Sequence, residues 1–578
     1  MKNRPTHNLI DVAMGRERAD LCISNVQIAD VFNGEFFTSS VLVKDGLIAG
    51  FAPDGSPEAL ITVDAEGSYL LPGFIDSHVH IESSHCSPTA FSDAVVPHGT
   101  TTVIADPHEI CNVSGLAGLD YMIASSENAS LEVFFMVPSC VPATDFEHAG
   151  AVLNSEKIEH AIGHERVLGL GEMMNFPGVL NGDEEVLRKL AIAQREGKLV
   201  DGHAPGLLGQ ALDAYSAAGI ISDHESETPD ELKERIRRGM YVMLRQGSAC
   251  QNLSALMKGV TKDNMRFCLF CTDDKQPHSI LEEGHINYNA RLAIAAGLAP
   301  IDAVRIASLN AATCYGLHDR GAIAPGRRAD FFLTRDLFEL SAERVFIAGV
   351  EVARDRRILE PSIPVEPKGV GSSVQFKPLG EKQFELPLKS SRVRVIDIIP
   401  GGVVTAQGEA EVTLRNGSWV HDPTQDILLL SVIERHHATG YMGKALIRGY
   451  GMSHGAIATT IAHDSHNIIV IGDTAEDMHT AVASLKTIGG GITMVKNGKV
   501  LASLAHPIAG LMSDSPVSTV HEQLSRMHEI AHTELTVSQA IDPFMTLSFM
   551  ALPVIPTYKL TDMGLFDVTS FSFVPLEL

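Results

Sequence analysis

No stretch of about 18 consecutive apolar residues occurs in this sequence of 578 residues. A membrane-spanning helix needs about 20 predominantly apolar residues, so we expect no membrane span. The first 20 residues carry charges throughout and have no apolar core of signal-peptide length. These two absences predict a cytoplasmic protein.

Basic residues are also in short supply. Lysine and arginine together number 45, against 71 aspartates and glutamates, which gives a formal net charge of −26. A surface this acidic repels the phosphates of nucleic acids and the head groups of anionic lipids. We therefore expect neither a nucleic acid nor a membrane as a partner.

Cysteine is absent after Cys314, and all eight cysteines lie in the part of the chain that ends there. A secreted, disulfide-bonded chain of this length would not usually show that distribution. Cys268 and Cys271 form a CxxC pattern within the apolar run FCLFC, which predicts a strand. Residues three apart on a strand point to opposite faces, so we expect no redox pair. The cysteines indicate a reducing compartment.

The chain is too long for one hydrophobic core, and its patterns change along its length. Short β segments separated by Gly, Asn and Asp predict hairpins near the N-terminus, and a β pattern returns after the middle of the chain. We expect the two flanks, residues 1–66 and 316–362, to form one small β-sandwich domain. Residues 363–389 are rich in Pro and Gly and are predicted to be a linker. Residues 390–578 alternate strands and helices, which predicts a separate C-terminal α/β or α+β domain that could cap an active site.

Between the flanks, residues 67–315 alternate apolar runs with helical patterns. The eight apolar runs are LLPGFIDSHVH, TTVIADPH, EVFFMVPS, RVLGLGEMM, KLVDGHAP, IISDHE, YVMLRQG and RFCLFCTDD. Several of the helical patterns begin at Asp, Ser, Thr or Pro and end at Gly, as helix caps do. Eight β-then-α units in about 240 residues are the pattern of a (β/α)₈ barrel of the TIM type, in the α/β fold class.

Residues with metal-binding side chains fall at the carboxyl ends of the predicted strands, where such barrels place their functional groups. They are His78, His80, Glu172, His203, His224 and Asp273. His78 and His80 are two positions apart on a strand and therefore face the same side. Four imidazoles and two carboxylates exceed what one four-coordinate ion needs. The sequence therefore predicts two divalent metal ions, which a carboxylate such as Glu172 could bridge.

The motifs DSHVH, GHAP, SDHE, CTDD and GAIAPGRRADFFL resemble the amidohydrolase superfamily. More narrowly, the chain is similar to the bacterial adenine deaminase family along nearly its whole length. The motifs that carry this resemblance are PGFIDSHVHIESS, TTVIADPHEI, GLGEMMNFPGV, VDGHAPGL, SDHE, CTDD and HDSHNIIVIG. The resemblance implies hydrolytic deamination of adenine to hypoxanthine and ammonia. It also implies two metal ions, with Mn or Fe expected and Zn as an alternative, and a homo-oligomer, expected to be a dimer.

Two features of the sequence narrow the subclass. Many hydrolases of the superfamily that cleave cyclic amides bridge their metals with a carboxylated lysine on the fourth strand. The run VLGLGEMM has no lysine and offers Glu172, which argues against a dihydroorotase or hydantoinase. The PCxxC signature of the unrelated zinc deaminases is absent. Two alternatives stay open: a related binuclear hydrolase, such as an N6-substituted adenine deaminase or an amino-sugar-phosphate deacetylase, and a non-catalytic scaffold.

Further candidates surround the predicted metal site. His108 lies just past the second strand, and an imidazole there can move protons because it titrates near neutral pH. Glu109 is a candidate for orienting that ring. The histidine-rich loop of the last domain could cover the barrel mouth, bind another metal or only stabilise its domain, and the resemblance favours contact with substrate. The substrate-binding candidates are Glu82, Glu109, His463, Asp464 and His466.

The predicted mechanism is hydrolytic attack on C6 of adenine. Two metals a few ångströms apart generate hydroxide at neutral pH and polarise a substrate atom. Asp273 would accept the hydroxide proton, and Glu172 or His108 would protonate N1 before the exocyclic nitrogen leaves. The catalytic candidates are therefore Asp273, Glu172 and His108.

Overall fold

A computed structural model describes residues 6–52, 58–371 and 373–578 of the chain. Residues 1–5 and 53–57, which the sequence assigns to the small β domain, and residue 372 of the predicted linker lie outside the described residues. Within the described part, no helix is both long enough and apolar enough to cross a membrane.

The N-terminal flank begins with a short helix and continues in strands. These elements are α1 (Thr6–Ala13), β1 (Ala19–Asp30), β2 (Glu35–Lys44), β3 (Leu47–Ala52), β4 (Ala59–Asp64) and β5 (Tyr69–Pro72). Strand β1 pairs with β2 in antiparallel register and with β4 and β5 in parallel register. Alternate positions such as Leu21, Ile23 and Val41 are buried in the small core of this sheet, as expected for strands with one covered face.

Nine short strands follow and build a barrel. They are β6 (Phe74–His80), β7 (Thr100–Ala105), β8 (Glu132–Val137), β9 (Val167–Met173), β10 (Leu199–Gly202), β11 (Ser222–Asp223), β12 (Tyr241–Arg245), β13 (Cys268–Cys271) and β14 (Asp273–Asp274). Strands β6–β10 and β14 form one parallel sheet, and β11–β13 form a second. Strand β14 pairs with β6, and the Ile221 amide donates to the Val200 carbonyl (3.0 Å) to join the two sheets. The strands thus close into a ring, and the predicted barrel is confirmed.

Helices alternate with these strands and cover the outside of the ring. They are α2 (Pro88–Val95), α3 (His108–Ser114), α4 (Leu116–Ser126), α5 (Ser155–Ala161), α6 (Phe176–Asn181), α7 (Glu184–Arg195), α8 (Gly209–Ala217), α9 (Pro229–Arg237), α10 (Leu253–Leu256), α11 (Pro277–Glu282), α12 (Ile286–Ala295), α13 (Pro300–Arg305) and α14 (Ala311–Cys314). Helix α9 shows why they begin where they do. The Thr228 hydroxyl accepts the Glu231 amide, the Glu231 carboxylate accepts the Thr228 amide, and Pro229 occupies the first turn.

The chain then returns to the first sheet. The returning strands are β15 (Phe331–Thr334), β16 (Arg344–Ile347), β17 (Val350–Arg354) and β18 (Arg357–Ile358). Strand β15 pairs with β5 in antiparallel register, so one nine-stranded sheet contains strands from both sides of the barrel. The N-terminal strands have too few apolar side chains to be stable alone, and pairing with the returning strands completes their sheet. The residue boundaries of the domains stay a prediction.

The C-terminal region is rich in β-structure. Its strands are β19 (Arg392–Ile398), β20 (Thr405–Glu411), β21 (Leu414–Arg415), β22 (Ser418–Trp419), β23 (Ile427–Ile433), β24 (Met442–Arg448), β25 (Ala456–Thr459), β26 (Ile468–Gly472), β27 (Gly491–Lys496), β28 (Lys499–Ala505), β29 (Tyr558–Thr561), β30 (Gly564–Asp567) and β31 (Ser572–Phe573). Its helices are α15 (Ala475–Ile488), α16 (Val517–Thr533) and α17 (Pro543–Ser548). Eight of the strands form one sheet in the order β20-β19-β24-β23-β26-β25-β27-β28, in which only β19 and β24 pair in parallel.

Candidate metal centre and adjoining cleft

Strand β6 delivers the first two predicted ligands. All seven of its residues are buried, and His78 and His80 lie on the same face because they are two positions apart. Their Nε2 atoms are 3.1 Å apart. Nδ1 of His80 lies 2.8 Å from the carbonyl oxygen of Asp106, which fixes the ring so that Nε2 faces the barrel mouth. Earlier on β6, the Asp76 carboxylate accepts a hydrogen bond from the Thr272 amide (3.1 Å). This bond links β6 to the residue between β13 and β14.

Asp273, on β14, lies beside His78 and His80 because β14 pairs with β6. Its Oδ1 atom is 3.0 Å from Nε2 of His80 and 3.8 Å from Nε2 of His78. Its Oδ2 atom accepts a hydrogen bond from Nη1 of Arg245 (2.7 Å). Burial alone would raise the pKa of Asp273, but His80 and Arg245 hold this pKa well below its usual range. Asp273 is therefore a carboxylate with one oxygen fixed by arginine and the other directed at the imidazoles.

Glu172, at the end of β9, lies between the two groups of histidines. Its Oε2 atom is 2.8 Å from Nδ1 of His203 and 3.2 Å from Nε2 of His224. Its Oε1 atom is 3.6 Å from Nε2 of His80 and 3.1 Å from Nδ1 of His108. Burial opposes its ionisation, but the hydrogen bonds with three histidines hold the pKa of Glu172 well below its usual range. Its two oxygens thus serve different histidines, as a bridging carboxylate would.

The six predicted residues form one cage, buried except for the partly exposed His203, and its atoms suit divalent metals. Potential ligand atoms lie within 4.8 Å of one another in the groups His78–His80–Glu172, His78–His224–Asp273 and Glu172–His203–His224. Ring nitrogens that face each other at 3.1–3.2 Å must share a proton or a cation. Imidazole with carboxylate is a donor set that Zn, Fe, Mn and related ions accept. The donors therefore fit a metal centre.

A buried arginine network supports the cage. Arg245, on β12, contacts Glu225 as well as Asp273, with Nη2 lying 3.1 Å from Oε2 of Glu225. Oε1 of Glu225 lies 3.6 Å from Nε2 of His224, so it adds negative charge beside that ligand. Sequence patterns did not indicate this pair as part of the site. The only sequence signal is their position at strand ends next to His224 and Asp273.

His108 begins helix α3 beside the cage. Nδ1 of this imidazole faces Glu172, and its Nε2 atom lies 3.9 Å from Oδ1 of Asp464 in the C-terminal region. Burial and the neighbouring His80 lower its pKa, but Glu172 and Asp464 outweigh them and raise it to about 10. Glu109, the candidate for orienting this ring, instead faces His463, with 3.4 Å between Oε1 and Nδ1.

A cleft lies next to the cage, between the barrel and the C-terminal region. The barrel contributes Glu82, Ser83, His85, Glu109, Ser248, Asp274 and Gln276, and the C-terminal region contributes Thr459, Ile461, His463, Leu511 and Phe549, among others. One wall is therefore polar and the other largely apolar, as in sites that hold a flat heterocycle. Three of these residues, Glu82, Glu109 and His463, are predicted from the sequence; the others are not.

Carboxyl groups dominate the barrel side of the cleft. The Ser83 hydroxyl donates to Oδ1 of Asp274 (2.5 Å) and lies 3.3 Å from Oε1 of Glu109. The Ile110 amide donates to Oε1 of Glu82 (3.2 Å). Burial, together with the nearby Glu82 and Asp274, raises the pKa of Glu109 well above its usual range. Burial, with Asp273 adjoining, raises the pKa of Asp274 to about 6. Such groups can donate as well as accept hydrogen bonds near neutral pH.

The histidine-rich loop of the C-terminal region contains His463, Asp464 and His466 and lies against the barrel side of this site. The His463 ring stacks on Phe549, with 4.4 Å between ring centroids, and burial lowers the pKa of His463 to about 3. Asp464 faces His108, and Nδ1 of His466 accepts the Ala462 amide (3.2 Å). Glu109, His463 and His466 also bring three potential ligand atoms within 4.8 Å of one another. The loop therefore contacts both the cleft and His108, which lies beside the cage.

Arg435 fastens this loop to the rest of the C-terminal region. Its guanidinium is fully buried and donates to the carbonyl oxygens of His466, Ser373 (3.1 Å), Thr460 (3.4 Å) and Ala509 (3.0 Å). Burial lowers the pKa of Arg435 to about 9. One side chain thus joins the predicted linker, the histidine loop and the segment that precedes Leu511 of the cleft.

We expect Arg435→Met to destabilise the C-terminal region by about 3 kcal/mol or more, because several buried carbonyls would lose their donor. The single tryptophan, Trp419, lies in this region and reports its unfolding by fluorescence in urea. Arg415→Met, an exposed site on β21, is the matched control. Equal urea midpoints for the two variants would contradict the anchoring role of Arg435.

Comparison with known proteins places the chain among relatives that match it over nearly its full length. "Adenine deaminase" of Nitratidesulfovibrio vulgaris (strain DP4) is 50% identical over 574 residues, which cover 99% of each chain. "Adenine deaminase 2" of Desulfotalea psychrophila is 48% identical over 578 residues, which cover 100% of each chain. The chain belongs to the adenine deaminase family.

Two family models match separate parts of this adenine deaminase family member. The model of the amidohydrolase family matches residues 69–352, and the model of the adenine deaminase C-terminal domain matches residues 402–572. Among solved structures, the β-aspartyl dipeptidase of Fervidobacterium islandicum AW-1 is 19% identical, with a TM-score of 0.45, over 59% of this chain and 98% of that chain.

Proposed function

We propose that the protein hydrolyses adenine to hypoxanthine and ammonia. The observation that carries the proposal is the six-residue cage beside a cleft with one polar and one apolar wall, in a chain whose full-length relatives are named adenine deaminases. A purine is flat and carries hydrogen-bonding atoms around its edge, so stacking on an apolar wall and polar contacts on the other suit it.

We propose that two divalent metal ions, Mn or Fe first and Zn as an alternative, are held by the cage. Their ligands would be His78, His80, Glu172, His203, His224 and Asp273, with Glu172 between the two ions. When bound, such ions lower the pKa of a water molecule towards neutrality and polarise the substrate. The two carboxylates supply the negative charge that a pair of divalent cations needs.

The side chains move the protons of the reaction. Water adds to C6 of the ring, and Asp273 accepts the proton that it releases, because Arg245 keeps Asp273 ionised and directs its other oxygen into the cage. His108, whose pKa is raised to about 10 by Glu172 and Asp464, donates a proton to N1. Glu172, which the histidines keep ionised, holds the His108 ring in place for this transfer. The exocyclic nitrogen takes up the proton held by Asp273 and leaves as ammonia. The C6 hydroxyl then returns its proton to His108 as the carbon–oxygen double bond of hypoxanthine forms, so both side chains regain their starting protonation. These groups act most strongly on the tetrahedral intermediate, where charge develops.

The cleft positions the ring for this attack. Phe549 and the stacked His463 offer a flat apolar surface, and Glu82 and Glu109 can contact the edge of the purine. Asp464 is placed to act through His108, and His466 acts through the backbone of its loop. We propose Asp274 and Ser83 as additional edge contacts, because their oxygens adjoin Glu109 in the same wall.

The proposal is tested by incubating enzyme supplied with Mn or Fe with adenine and assaying ammonia and hypoxanthine. A sample treated with a chelator and a sample given N6-methyladenine run alongside. Metal-dependent conversion of adenine is expected. Conversion of the N6-substituted base alone would redirect the proposal to that substrate. If enzyme that contains two metal equivalents converts neither base, adenine is not its substrate.

We expect His108→Asn to lower kcat by about 100-fold while the metal content stays at the wild-type value, because a proton donor is lost and no ligand is removed. Metal content is measured by inductively coupled plasma mass spectrometry, and kcat by ammonia release. His318→Asn, on an exposed histidine far along the chain, is the control. Loss of metal from the His108 variant would show that His108 is a ligand instead.

A homodimer is also proposed, on the sequence resemblance alone. Light scattering of the purified protein tests it, and a mass of one chain would contradict it.

A further inference from the structure

Helices α11 and α16 bring one barrel segment and one C-terminal segment together at the protein surface, away from the cage. Helix α16 buries Val517, Val520, Leu524, Met527 and Ala531, a spacing of three and four residues that forms one apolar stripe. His521 follows Val520 directly and therefore lies at the edge of this stripe, half-buried beside α11.

Helix α11 presents two polar side chains to the same point. His278 and Glu282 are four residues apart and share a helix face, with 3.2 Å between Nδ1 and Oε1. Their side chains are 62% and 59% exposed, so solvent and ions reach them. The His278 and His521 rings lie 5.5 Å apart between centroids.

These three residues hold one ligand atom each within 4.8 Å of one another. Zinc binds imidazole nitrogen and carboxylate oxygen at about 2.0–2.2 Å, so ligands of one ion lie about 3–4 Å apart. Small rotations of the exposed His278 and Glu282 side chains would bring the three ligand atoms into that range. Two imidazoles and one carboxylate are also the donor set that favours Zn²⁺ over Mg²⁺ or Ca²⁺.

We propose that His278, Glu282 and His521 form a separate Zn²⁺ site that ties the barrel to the C-terminal region. The three side chains leave a fourth position for water, as three-ligand zinc sites do. The acidic chain, with a formal net charge of −26, favours cation binding in general, and the two imidazoles add the preference for a transition metal.

The site adjoins the cleft through the start of α11. Gln276 directly precedes this helix and lines the cleft. Its backbone amide donates to the hydroxyl of Ser248 (3.0 Å), a residue that also lines the cleft. A Zn²⁺ ion on His278 and His521 would hold α11 against α16. The bound ion therefore restrains the relative movement of the two walls that enclose the substrate.

The test compares zinc content in variants that share an intact cage. Wild-type, His278→Ala, His521→Ala and His160→Ala proteins are dialysed against the same buffered free Zn²⁺ and analysed by inductively coupled plasma mass spectrometry. His160 is an exposed histidine on α5 and is the matched control. Zinc that exchanges into the cage contributes equally to all four proteins, so differences report on the surface site alone.

We expect wild-type and His160→Ala proteins to hold one zinc per chain more than His278→Ala and His521→Ala, and zinc affinity at this site to fall at least tenfold in the two variants. Zinc should also raise the Tm of the first two proteins and leave that of the others unchanged. Equal zinc content in all four proteins would overturn the proposed site. Loss of zinc from only one of the two site variants, with zinc still raising the Tm of the other as it does in the wild type, would also overturn it. Neither outcome depends on whether adenine is the substrate.

Discussion

Asp273→Asn is expected to lower kcat for deamination by about 10³-fold while the barrel stays folded. The amide has the shape of the carboxylate and can still contact Arg245, so packing is preserved. It cannot take up a proton from the attacking water, and it removes one negative charge from the cage. The loss therefore falls on the chemical step rather than on substrate binding.

The measurement separates the role of base from the role of ligand. Activity and metal content of Asp273→Asn are determined on the same preparation, beside Asp319→Asn. Asp319 also pairs with an arginine, with 3.0 Å between its Oδ1 atom and Nε of Arg320, but lies outside the cage. Full metal content with lost activity supports the base. Activity near that of the wild type would remove Asp273 from the mechanism.

Glu172→Gln is expected to have an equally large effect for a different reason. The carboxylate lies within 4 Å of His80, His108, His203 and His224, and each of its oxygens serves a different pair. The neutral amide of glutamine removes the negative charge that lies between the two proposed ion positions. It also replaces one carboxylate oxygen with an NH₂ group, which donates hydrogen bonds and does not bind a metal ion. Loss of metal affinity should exceed the roughly 10–100-fold that loss of an outer-shell partner costs.

Metal retention during dialysis against a weak chelator measures this loss. Glu185→Gln is the control, since Glu185 is a carboxylate of the same barrel that accepts the Ser155 hydroxyl (3.0 Å) far from the cage. Glu172→Gln protein should fall below two metals per chain while the control keeps its complement. If Glu172→Gln held both ions and lost only activity, Glu172 would be a proton donor and not a bridge.

The barrel could be predicted from sequence because its signals are local. Apolar runs, helix caps and the spacing of His78 and His80 each involve neighbouring residues, and the carboxyl ends of barrel strands meet by geometry. The six cage residues come together for that reason. Arg245 could not be singled out, because its value lies in contacts with Asp273 and Glu225, 28 and 20 positions away.

The cleft was less predictable because two distant parts of the chain build it. Phe549 and Leu511 are ordinary apolar residues in their own segments, and only the docking of the C-terminal region on the barrel makes them a wall. Asp274 follows Asp273 in the CTDD motif and could have been found from that position. The alternation of strands and helices after residue 390 did not reveal that the sheet there is mostly antiparallel, because strand pairing is a long-range property.

The cage and the far wall of the cleft are encoded in separate stretches of the chain. All six cage residues lie between positions 78 and 273, whereas the apolar wall comes from positions 459 to 549. The metal cage and the apolar surface on which the ring stacks can therefore change separately in evolution, whereas the polar edge contacts remain with the barrel. Selection for a bulkier or smaller ring would act first on the last third of the chain, and chimaeras that exchange it should retain hydrolytic chemistry while altering which base is accepted.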